Sequence, residues 1–122
     1  MENNIVYQKS LAFSKLLLNL IKDLDSPAYK HIFFQLKKSG TAIGASIAEA
    51  ESAQSMVDFI SKMKIADKEA NETVYWLSLL EKDYPEITSN LKPLVTEIKR
   101  ILRSILVTCN RKLKERHSKR AE

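Results

Sequence analysis

Apolar side chains recur every three or four residues through nearly the whole chain, and that period suits helices and little else. Over residues 6–25, Phe13, Leu16, Leu17, Leu20, Ile21 and Leu24 share one helical face, with Lys9, Lys15, Lys22 and Asp23 largely elsewhere. Ser26 and Pro27 are expected to cap and open a second helix, 27–50, because proline's missing N–H costs nothing at a first helical position. Ile32, Phe33, Leu36, Ile43 and Ile47 form its apolar face. Ser55, with Asp58 three residues on, reads as the capping box of a third helix, 56–83, striped by Phe59, Met63, Ala66, Ala70, Thr73, Leu77 and Leu80. Ile60, Ile65, Val74 and Trp76 lie off that stripe, so this helix calls for more than one partner. Pro85 is expected to close it and residues 86–90 to form a loop. A fourth helix, 91–113, then starts under Ser89 or Asn90, with Pro93 in its first turn and an apolar run from Leu94 to Leu113. Short links between amphipathic helices predict an all-α fold, an up-down-up-down antiparallel four-helix bundle spanning residues 1–113. Residues 114–122 lack apolar periodicity and are expected to fray as a basic C-terminal tail.

Two glycines and three prolines in 122 residues leave few of the turns that sheets and phosphate-cradling loops require. Both glycines, Gly40 and Gly44, fall inside the second helix among Ala42, Ala45, Ser46, Ala48 and Ala50. A mid-helix glycine costs about 1 kcal/mol relative to alanine, so close helix packing, within the chain or between subunits, is expected to offset it. Gly40, Gly44, Ser46, Ile47, Glu49 and Trp76 are the candidate packing residues.

Bundles can host carboxylate metal centres, which need Glu-x-x-His pairs on two helices. None occurs, and His31 and His117 lie far from Glu49, Glu69 and Glu72 in sequence. Cys109 sits on the apolar stripe as a small core residue, and no nucleophile elbow, Walker loop or zinc-binding pattern is present. No catalytic residue, cofactor or metal site is assigned. A single cysteine, no basic leader and no apolar run of roughly 20 residues suggest a soluble, cytoplasmic chain with no membrane partner.

The charge is asymmetric. Residues 1–90 hold ten Lys/Arg against twelve Asp/Glu, a net −2, whereas residues 91–122 hold ten against three, a net +7. Lysine and arginine gain affinity for polyanions by releasing counterions from phosphates. Lys99, Arg100, Arg103, Arg111, Lys112, Lys114 and Arg116 are therefore the candidate contacts to RNA or DNA, suited to the backbone rather than to base edges. The same residues at a helix C-terminus also complement its dipole.

The run Ser39-Gly40-Thr41-Ala42-Ile43-Gly44-Ala45-Ser46-Ile47-Ala48-Glu49-Ala50, followed by Asp58-Phe59 and by Ala66, Glu69, Glu72 and Trp76-Leu77, resembles a family of four-helix bundles. These are the proteins encoded in 23S rRNA intervening sequences, grouped with the accessory variability proteins of diversity-generating retroelements. The resemblance implies a homopentamer, and for retroelement members a basic subunit that binds nucleic acid and a reverse transcriptase. For the intervening-sequence branch it implies no settled biochemical role; the alternative there is a protein-interaction scaffold, using the spare apolar face of the third helix and the small-residue face of the second. Ser46 stands where an asparagine is usual and Ala50 where a glycine is usual, the second implying a helix that ends less sharply.

Overall fold

The computed structural model describes residues 2–121, with side chains from 5 to 120. Met1 and Glu122, the latter part of the expected tail, lie outside the described residues. Four helices follow in order: α1 (Glu2–Ile21), α2 (Lys30–Ala50), α3 (Met56–Leu80) and α4 (Pro85–Ala121). α1 packs on α2 and α4, α3 on α2 and α4, and the diagonal pairs stay apart, which gives the antiparallel four-helix bundle. The expected faces form its core: Phe13, Leu17, Leu36, Ile43, Met63, Leu77, Ile98 and Leu102 are all 1% exposed or less.

Three helix starts differ from expectation. α1 opens at Glu2 rather than at residue 6 and ends at Ile21 rather than 25, which leaves Leu24 exposed in the link. Ser26 does not cap α2. Its carbonyl accepts from the Tyr29 N–H at 3.1 Å in a turn, and the helix opens at Lys30 behind Tyr29, which makes no side-chain cap. The Tyr29 hydroxyl instead donates to Asp83, and its ring meets Tyr84 edge-on at 5.3 Å. Aromatic packing and this bond to the α3–α4 turn fix the entry to α2. The hydrogen bond is also the chief reason the Tyr29 pKa is raised, with burial and nearby charge contributing less.

α4 begins six residues early. Residues 86–90 form its first turns rather than a loop, because Ile87 and Leu91 continue the buried stripe at i, i+4 and Pro85 sits where a first helical residue tolerates proline. Ser89 and Asn90 are not caps; both side chains donate back to the Glu86 carbonyl, at 3.1 and 2.7 Å. Pro93 consequently lies well inside the helix, on its exposed side.

Ser55 does cap α3. Its Oγ accepts from the Asp58 N–H at 3.0 Å, while the Asp58 carboxylate reaches past Ser55 to the Gln54 N–H at 3.3 Å. α3 ends at Leu80, three residues before the expected boundary. α2 ends at Ala50 with Glu51 still right-handed, as expected of a helix lacking a terminal glycine.

Both glycines face α1 inside the chain, and the packing there excludes a side chain at Gly40 but not at Gly44. A Cβ on Gly40 would lie 2.4 Å from Leu17 Cδ2, and one on Gly44 would lie 3.5 Å from Ser10 Cβ. The small-residue seam therefore seats α1 against α2. Across the bundle, the Ser39 and Thr73 hydroxyls lie 3.0 Å apart and tie α2 to α3.

Candidate nucleic-acid interface

α4 has 37 residues and α3 has 25, so at 1.5 Å per residue α4 is about 18 Å the longer. Their antiparallel register is set by the Lys92–Glu81 and Arg103–Asp67 pairs, which place Met56 about level with residue 114. α1 stops sooner: with Lys9 facing Glu97, Glu2 is about level with residue 104. The end of α4 thus loses first α1 and then α3, and overhangs the bundle.

The expected fraying does not occur, as the helix runs through Ala121. Apolar periodicity reports burial, whereas helix formation here rests on residues of good propensity and on cations that complement the dipole. Arg111 and Glu115, four residues apart, add an ion pair at 3.9 Å.

The cations fall into two sets. Arg100, Arg103, Arg111 and Lys114 share the face opposite the buried Ile98, Leu102 and Ile105. Lys99 is half-buried beside them; Lys112, Arg116, Lys119 and Arg120 fall on the other side of the helix, in line with the buried stripe, and are exposed because they lie at and past the end of the bundle. Arg103 is 62% exposed and lies 3.8 Å from Asp67, a partner that no sequence pattern marked. Arg103 and Arg111 are the members of the stripe within ion-pair distance of a carboxylate among the described residues. Glu97, just before the stripe, bonds Lys9 at 2.9 Å, and that bond holds its carboxyl below the usual range.

The candidate packing residues do not gather there. Gly40, Ser46 and Ile47 are buried and Gly44 is half-buried in the bundle, while Glu49 is exposed and pairs with Lys62 at 3.6 Å. Trp76 is half-buried on the α2–α3 side, edge-on to His31, with its Nε1 unpartnered. Nearby Glu69 is pushed up by burial and by Glu72. Cys109 is half-buried against the core, and no cluster of metal-ligating side chains occurs among the described residues. No described helix is long and apolar enough to cross a membrane.

No curated protein matches the chain. Among solved structures, it is similar to a protein of unknown function from the S23 ribosomal protein family of Bacteroides thetaiotaomicron, at 43% identity and a TM-score of 0.77 over 87% of this chain and 98% of that one. A family model described as 23S rRNA-intervening sequence protein matches residues 2–105. The buried stripes, the glycine seam and most of α4 fall within that match, and the chain belongs to the 23S rRNA-intervening sequence protein family.

Proposed function

We propose that the protein is a non-catalytic, self-associating bundle that holds nucleic acid by its phosphate backbone along α4. The observation that carries this reading is the placement of the positive charge. Arg100, Arg103, Arg111 and Lys114 face away from the core on a continuous helix, and the cations beyond them project past the bundle. Of the two matches, the similar structure's assignment to an S23 ribosomal protein family is what favours RNA as the polyanion. Salt titration of binding to an RNA hairpin, followed by fluorescence anisotropy, tests it. Replacing Arg100, Arg103, Arg111 and Lys114 with glutamine should weaken binding and make the salt dependence shallower, by a slope of roughly one for each phosphate no longer neutralised. Unchanged affinity in that variant would falsify the assignment.

A second reading, a protein-interaction scaffold, is favoured by the exposed apolar side chains Ile65, Tyr75 and Leu79 of α3, which are 40 to 58% exposed. Self-association could use the same residues, and light-scattering mass measures it directly. Capture of a protein partner that survives nuclease treatment and ignores the arginine substitutions would favour the scaffold over the nucleic-acid reading.

A further inference from the structure

Resting on the reading of α4 as a phosphate-binding helix, we infer that the protein selects double-stranded over single-stranded nucleic acid, with Arg100–Arg103 and Arg111–Lys114 gripping the two phosphate rows that flank one groove. The four cations fall in two pairs, each three residues apart, whose midpoints are eleven residues apart. Eleven residues make almost three whole turns, so both pairs point the same way, and the rise places them about 16 Å apart. A duplex offers paired phosphate rows at a comparable separation, across a groove about 12 Å wide in B-form DNA. Between the pairs, exposed Ser104 and the 68% exposed Val107 keep the helix surface narrow and uncharged.

Two of the cations sit beside carboxylates. The Nε atoms of Arg103 and Arg111 lie 3.8 and 3.9 Å from Asp67 and Glu115, too far for hydrogen bonds, so these exposed pairs leave the guanidinium N–H groups as donors for phosphate oxygens. The fixed spacing of the two pairs along a continuous helix suits a stiff duplex, whereas a flexible strand forfeits little by meeting cations in any arrangement.

Single strands are usually held by bases stacked on aromatic side chains beside a basic groove. All nine aromatic residues of this chain precede Pro85. The most exposed of them, Phe34 and Tyr75, belong to α2 and α3, and α2 lies diagonally across the bundle from α4. Tyr75 shares its side of α3 with Glu72, whose charge repels phosphate. Aromatic platform and cationic stripe therefore do not form one surface.

Anisotropy titrations of the full chain, at one salt concentration, would compare an RNA duplex and a DNA duplex with poly(U) and poly(dT) of equal nucleotide count. The expected result is tighter duplex binding by about tenfold, the difference made by one well-placed charged contact. The RNA and DNA arms identify which duplex is preferred. A second variant, Arg111→Gln with Ser118→Arg, keeps the net charge and uses two exposed positions, yet moves one cation along the helix by about 10 Å. It should lose most of the duplex preference while binding poly(U) as before. Equal or tighter binding of single strands, or full duplex preference in the relocated variant, overturns this inference and leaves the phosphate-binding function standing. Failure to bind any of the four probes removes both.

Discussion

Between Ile87 and Ile105, α4 buries a side chain at nearly every third or fourth position; between Val107 and Arg120 it buries none, and it is helical in both. The inner half is fixed by packing against α1 and α3. Past Cys109, which still packs half-buried against the core, the outer half is held by propensity, by the helix dipole and by the Arg111–Glu115 pair. A stretch of helix can thus be free of the core, and that freedom lets the outer half devote its faces to charge. The comparison is broken most directly by truncating one aliphatic residue in each half. Ile98→Ala, at a site 1% exposed, should cost about 2–5 kcal/mol in urea unfolding. Val107→Ala, at a site 68% exposed, should stay within about 0.5 kcal/mol. A large cost at Val107 would mean that the outer half is covered after all, by another subunit.

The same contrast between identical residues in different surroundings appears on α2, at a smaller scale. Gly40→Ala gains up to about 1 kcal/mol of helix propensity but drives a methyl into fully buried Leu17, an overpacking cost of about 1–3 kcal/mol. Gly44→Ala gains the same propensity and meets Ser10 at ordinary van der Waals distance. The first variant should unfold at lower denaturant and the second at equal or higher denaturant than the parent. Equal shifts in the two variants would show that backbone entropy alone, and not the α1–α2 seam, sets their effect.

Burial explains what could be read from the sequence and what could not. The core faces of all four helices were legible because apolar spacing is a direct record of which side is packed, and Ser55 was legible because its cap is local. The start of α4 was not, since Ser89 and Asn90 are good caps in isolation and only the packing of Ile87 into the core shows that the helix is already under way. The outer half of α4 was misjudged because periodicity is silent where nothing is buried. Its cations were legible as a group, but the exposure of those in line with the buried stripe, Lys112, Arg116, Lys119 and Arg120, depends on where α1 and α3 stop. Asp67 beside Arg103, and Glu97 beside Lys9, depend on interhelical register, which no local pattern encodes.

The smallest expected effect lies within the inner half of α4, where it meets α1. Lys9 of α1 bonds Glu97 at 2.9 Å, and this bond first, then the charge of Lys9, holds the Glu97 carboxyl below its ordinary value of 4.5; Arg100 adds a minor pull in the same direction. A carboxyl with a depressed folded-state pKa stabilises the fold above its unfolded value, and that contribution disappears as pH falls through the folded one. Glu97→Gln should therefore lower the urea midpoint modestly at neutral pH, and the gap to the parent should close in strong acid, where both side chains are uncharged. High salt should shrink the gap at neutral pH as well, because both partners are partly exposed. A gap that persists unchanged from neutral pH into acid would assign the loss to packing of the glutamate stem. α1 would then be held to the inner half of α4 by its apolar packing alone, with no electrostatic contribution from the Lys9–Glu97 pair.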